Sequence, residues 1–253
     1  MTKAKKGCLI IHGLTGTPAN LLPITDALKA KGYLVKAPLL AGHGVDLKTL
    51  SVTTWQDWYG SLVRAHDELS REVDQIFFVG LSMGALLGLK LAEDGANNIK
   101  AMALLGLPLK LWPLFDCLII PLVRYTPLRF SIRSTPKNFE KSVLDPKGRE
   151  IYRQNSLCRM PAPAAFQIQD LAKIVERDLN KMNQPLLLLH GHHDHLVDPK
   201  GMLTLKKKVA SKQVEIVMLE HSGHVLPLDY DRDIVVQKII NFFDSHANDS
   251  QTL

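Results

Sequence analysis

A chain of 253 residues with 46% hydrophobic side chains can bury one substantial core and reads as one globular domain carrying an insertion. Thirty-one Lys and Arg against 25 Asp and Glu leave a formal charge of +6 spread along the chain, and the runs Lys3 to Lys6 and Lys206 to Lys208 read as solvated faces, against a nucleic-acid footprint. Cys8, Cys117 and Cys158 are odd in number and far apart, so neither a disulfide framework nor a cysteine metal site is implied, and a reducing, cytoplasmic compartment is expected.

The first apolar stretch, CLII, runs straight into HG and is too short for a signal-peptide core. From there, β-branched or leucine-rich runs alternate with helical periods. GCLIIHG is followed by a helix over 19–31, YLVKAPLL by one over 55–70, and QIFFVGLS by one over 83–93. After IKAMALLGLP the alternation stops, then resumes with QPLLLLHG, a helix over 199–210, VEIVMLE and a helix over 228–246. Strands that are apolar throughout are buried on both faces, and strand–helix alternation implies parallel pairing. The expectation is an α/β class domain with a mostly parallel sheet of about six strands. Trp55, Trp58, Tyr59, Leu62 and Leu69 lie near helical spacing and read as a core stripe.

Between the two halves, eight of the 14 prolines fall at 108, 113, 121, 127, 136, 146, 161 and 163. Proline ends or kinks helices, so this stretch predicts short, broken helices and no further strand unit. The chain divides into a core, 1–107 with 185–253, and an inserted cap, 108–184. The greasiest part, Leu107 to Val123, is interrupted by Lys110, Asp116 and three prolines and does not read as a membrane span.

Gly80-Leu81-Ser82-Met83-Gly84 fits G-x-S-x-G, with a strand before it and a helix after it. A serine held in a strained turn between glycines projects above the carboxyl edge of the sheet, and the Met83 amide at the helix start can donate to an oxyanion. Such a serine needs a base and an orienting acid, each from a loop after a later strand, in the order serine, acid, histidine. LLLLHGHHDHLVDP offers Asp194, favoured over Asp198 because Asp198-Pro199 has the form of a helix cap followed by proline. VMLEHSGHVLPLD offers His224, favoured over His221 because a Ser-Gly turn presents it. In HGLTGTP, Gly13 and Gly16 flank Leu14, whose amide can turn inward as a second oxyanion donor. His12, His43 and His190 border glycine turns and are expected to bond the backbone there.

HGLTGTP, AGHG, TTWQDW, GLSMG, the GHHD turn and SGH together occur in the order seen in α/β-hydrolase carboxylesterases and monoacylglycerol lipases, and the chain resembles that serine-hydrolase family over nearly its whole length. The resemblance implies the α/β-hydrolase fold, a Ser82–Asp194–His224 triad, Leu14 and Met83 as oxyanion donors, no cofactor, and a small cap over an acyl pocket. One departure is that the sheet starts at what corresponds to the family's third strand. Residues 190–195, HGHHDH, also fit the H-x-H-x-D-H pattern of zinc hydrolases, with His190, His192, Asp194 and His195 as ligands and His221 and His224 available. That pattern belongs early in an antiparallel fold, whereas here it follows a parallel alternation, so His192, His193 and His195 read as solvated loop residues.

The substrate expected is a short- to medium-chain acyl ester, monoacylglycerols included, with Leu111, Trp112, Leu114, Phe115 and Ile119 of the cap lining the acyl site. Exposed cap leucines and the positive charge allow a weak contact with a lipid surface. A different class, a binding protein that keeps the hydrolase scaffold without turnover, stands as the alternative, and the presence of all three triad residue types counts against it.

Overall fold

A computed structural model describes residues 5–247; Lys3, the start of the first lysine run, lies outside them. Among the described residues there are eight strands: β1 (Lys6–Ile11), β2 (Leu34–Lys36), β3 (Gln75–Leu81), β4 (Ile99–Leu105), β5 (Ser134–Pro136), β6 (Arg159–Pro161), β7 (Leu186–Gly191) and β8 (Val214–Leu219). Six form one sheet in the order β2-β1-β3-β4-β7-β8, every neighbouring pair parallel. β5 and β6 pair separately and antiparallel.

The continuous apolar runs are explained by helices on both faces. Along β3, Ile76 and Phe78 join the cluster formed with Trp58 and Leu62 of α3 (Trp55–Ser70) and Leu86 of α4 (Met83–Glu93), while Phe77 and Val79 point the other way. There they meet Ile24 and Leu28 of α1 (Leu22–Ala30), and Ile239 and Phe243 of a late helix, Arg232–Ala247. α3 starts at a capping box in which Thr54 and Asp57 satisfy each other's backbone amides. The stripe read as core is core: Trp58, Leu62 and Leu69 are fully buried, and Trp55 and Tyr59 pack against them.

Three elements differ from the sequence reading. β2 is only three residues long, because Pro38 has no amide to continue the ladder. The short α2 (Leu47–Val52), capped by Asp46, occupies a stretch with too few residues for a periodic signal. Residues 108–184 hold short helices, as the prolines predict, but also the β5–β6 pair and a 17-residue helix, Ala162–Asp178. Pro161 and Pro163 sit at the start of that helix, where a missing amide leaves no bond unmade. Its Ala164, Ile168, Leu171, Ala172 and Val175 face the same cluster as α3 and α4. Among the described residues no helix is long and apolar enough to cross a membrane.

Candidate active site

β3 ends at Leu81 and α4 starts at Met83, leaving Ser82 alone in the turn with φ 53° and ψ −117°. A non-glycine residue there is strained, and the strain is held by packing. The Ser82 amide donates to Leu105 O at 2.8 Å. The flanking glycines are required by close approach: a Cβ on Gly80 would lie 2.6 Å from the Gly84 backbone, and one on Gly84 would lie 2.3 Å from Ile11 O. Strand and helix can meet at this angle only without those side chains, and the meeting lifts the Ser82 hydroxyl above the strand ends.

Two other loops bring a base and an acid to it. After β8, the His221 amide and the Ser222 hydroxyl both donate to Asp231 Oδ2 at 2.8 Å, and the Gly223 amide donates to Asp229 Oδ2 at 2.8 Å. This carboxylate frame presents His224, which is 6% exposed, with Nε2 2.9 Å from Ser82 Oγ and Nδ1 2.6 Å from Asp194 Oδ2. With the proton on Nδ1, the ring donates to the carboxylate and accepts from the hydroxyl. Asp194 Oδ1 accepts from the Leu196 and Val197 amides at 2.8 and 3.0 Å. Burial pushes its carboxyl pKa up, but the His224 imidazole, with its hydrogen bond, His190 and the Leu196 amide outweigh that and hold it below the usual carboxylate value. A charged Asp194 therefore faces the imidazole.

Met83 is the first residue of α4, a position whose backbone amide has no intrahelical acceptor. On the facing loop, a turn closes from the Gly16 amide to Gly13 O at 3.1 Å, with Thr15 at φ 68°. Leu14 on this loop, Ser82 and His224 line one cavity of about 600 Å³.

Residues 2–231 match the profile of a family described as serine aminopeptidase, S33. The chain belongs to this family. It is similar to a thermostable monoacylglycerol lipase of Bacillus sp. strain H-257, 31% identical over 95% of this chain and 91% of the relative, and to a carboxylesterase of Bacillus subtilis strain 168, 25% identical over 94% and 92%. Among solved structures, one from a metagenome-derived lipolytic enzyme study superimposes with a TM-score of 0.85 at 23% identity, covering 96% of this chain and 95% of the other. The monoacylglycerol lipase of Paleococcus ferrophilus does so at 0.79 and 20%, covering 94% of each chain. The fold is that of the α/β-hydrolases.

Within this S33 family member the competing residues have other work. Asp198 Oδ1 accepts from the Lys200 amide at 2.9 Å, at the start of the helix Lys200–Lys208. His221 is exposed, as are His192 and His193. His195 corrects the sequence reading: it is half-buried and lines the cavity beside His224, and burial lowers its pKa. His12 donates from Nδ1 to Gly13 O at 2.9 Å and accepts at Nε2 from the Leu40 amide at 3.2 Å; burial and then His43 depress its pKa to about 3. His43 Nδ1 bonds Ala41 O at 3.0 Å, and burial brings its pKa down to about 4. Buried His190 holds Nε2 3.9 Å from Asp194 Oδ2. Among the described residues no three His, Cys, Asp or Glu side chains gather as a metal-ligand group.

The cavity's apolar wall comprises Leu111, Phe115, Ile119, Val123, Phe166 and Ile168. Of the five residues of 108–184 named from the sequence, Leu111, Phe115 and Ile119 face it. Trp112 and Leu114 do not: the wide helical turns of 114–119, continued by the α-helix Ile120–Tyr125, put Phe115, Ile119 and Val123 inward and leave Leu114 57% exposed, while the Trp112 indole donates to Asp194 O at 3.1 Å. That support of the acid loop had no sequence signal, since the contact spans 82 residues.

Proposed function

We propose that the chain is a serine carboxylic-ester hydrolase that works through Ser82, His224, Asp194 and an acyl-enzyme on short- to medium-chain acyl esters, monoacylglycerols among them. The observation that carries the reading is the unbroken relay from Ser82 Oγ to His224 at 2.9 Å and on to Asp194 at 2.6 Å. Ser82 Oγ attacks the ester carbonyl as His224 Nε2 takes its proton, and Asp194 holds the tautomer and stabilises the imidazolium. The Leu14 and Met83 amides receive the oxyanion, a contribution on the order of 10²–10³ in kcat per donor. His224 returns the proton to the departing alcohol, and water repeats the sequence on the acyl-enzyme. No step calls for a cofactor or a metal ion.

The 600 Å³ cavity with an apolar wall supports an acyl chain as the group bound, and the two curated relatives' names support ester chemistry. Residues 108–184 act in this reading as a cap over a core of 1–107 and 185–253. Exposed Leu114, Leu118, Leu122 and Phe130, beside exposed Arg129, support a weak lipid-surface contact of that cap. Three unpaired cysteines favour a reducing, cytoplasmic setting.

A fluorophosphonate probe tests the reading. It should label Ser82 and nothing else, and Ser82→Ala should lose both labelling and hydrolysis of p-nitrophenyl butyrate while keeping its thermal melt. Absence of labelling in the wild type would favour a non-catalytic binding protein. Activity confined to acetate esters would remove the acyl tunnel.

A further inference from the structure

The cavity containing Ser82 has a polar end that ester cleavage does not use. Lys137, just past β5, lines it, and its Nζ donates to Thr15 Oγ1 at 2.8 Å and stands 4.1 Å from the centre of the Tyr152 ring. Lys141 and Asn138 line the cavity too, and no Asp or Glu does. Asn20, 1% exposed, closes this end; its amide meets Ser156 Oγ at 3.2 Å and its remaining polar atom has no partner. Because a hydroxyl can donate or accept, Ser156 serves either orientation of that amide, and Asn20 can offer N–H to a ligand.

An ammonium taken out of water without a carboxylate beside it is costly. Burial accordingly brings Lys137 down to about 7, against an opposing influence from Cys158. Holding Thr15 in place needs only a neutral donor, so that contact does not account for a lysine. Lys141 is exposed and its charge is met by water, whereas Lys137 is the half-buried cation of this end; that one ammonium, a cation–π face and an amide around a site free of carboxylates match a single negative charge on a ligand.

We propose that Lys137 determines specificity in an anion subsite of this cavity, so that the substrate is an acyl ester whose alcohol part carries a carboxylate. The apolar wall takes the acyl chain, and the lysine end, against the Gly13–Gly16 loop, takes the alcohol side. Hydrolysis of that ester by water yields a free fatty acid and a hydroxycarboxylate. A phosphate dianion would leave excess negative charge in the cavity, whereas a carboxylate balances one ammonium. The proposal rests on the ester-hydrolase reading and narrows its substrate class.

Ether analogues that cannot be cleaved separate the two. Titration calorimetry with octyloxypropanoate and its primary amide, octyloxypropanamide, should show the acid binding the wild type about tenfold more tightly, the gain of one charge-assisted contact. Lys137→Met should abolish the difference and Lys137→Arg should keep it. Equal or weaker binding of the acid by the wild type overturns the proposal without recourse to any variant, and so does an undiminished preference in folded Lys137→Met. Propanoate alone binding as tightly as the octyl ether would make this a site for free anions and overturn the substrate assignment. Failure of the wild type to turn over p-nitrophenyl esters would sink the hydrolase reading and leave these titrations readable.

Discussion

Gly106 follows β4 with φ 54°, and a Cβ built there would lie 3.2 Å from both Cε1 and Nδ1 of His224. Gly106→Ala therefore imposes two separable penalties. Holding alanine in the left-handed region costs about 1 kcal/mol, which for a chain of this size lowers Tm by roughly 2–4 °C. The methyl also presses on the ring atom that bonds Asp194 at 2.6 Å, and the imidazole must yield by a few tenths of an ångström. Because the opposite nitrogen sits 2.9 Å from Ser82 Oγ, that shift degrades the proton transfer, and kcat should fall about 10- to 100-fold with KM little changed. Gly32→Ala is the matched control: φ is 83° and nothing lies within 4 Å of the added methyl. It should show a similar Tm loss with full kcat. Kinetics on p-nitrophenyl butyrate with a thermal melt of each variant decide the matter, and equal kcat in the two would refute the claim that Gly106 acts by placing His224.

Asp194→Asn should lower kcat by about 10³–10⁴, because an amide nitrogen facing His224 Nδ1 favours the wrong tautomer; Asp198→Asn keeps a capping side chain and should stay within about twofold, and equal losses would reverse the assignment of the acid. Ala165→Phe, placed on the cavity lining, should cut kcat/KM for octanoate relative to acetate by about tenfold in a chain-length series, and an unchanged ratio would show that the acyl chain lies elsewhere. Glu93 is buried with both carboxylate oxygens unpartnered, and burial raises its pKa to about 8 despite Lys90. The folded chain thus keeps a proton that the unfolded chain releases near 4.5, so stability is lost as pH rises from 4.5 through 8. Glu93→Gln should raise the urea midpoint, relative to wild type, more at pH 8 than at pH 5, and the same increment at both values would contradict the sign.

Much of the scaffold was legible because its signals are local. β3 and β7 announce themselves as short apolar runs, and GLSMG announces its turn because only glycine permits the approach of α4 to β1. The order of serine, acid and histidine along the chain followed from the alternation of strands and helices, and the three side chains named from it are those that stand within hydrogen-bonding distance. The helix 162–178 was hidden because proline at a helix start and proline in a broken loop look alike until the partner surface is known.

Residue order and periodicity alone determined that this chain builds a parallel α/β sheet with Ser82 in a tight turn at its edge. Which side chains join that serine from far along the chain was decided by packing. Trp112 bracing the Asp194 loop, His195 turned into the cavity and Lys137 reaching Thr15 across 122 residues have no spacing that marks them. Their positions follow from how residues 108–184 settle over the strand ends, and contacts between surfaces so distant in sequence leave no periodic trace in either one.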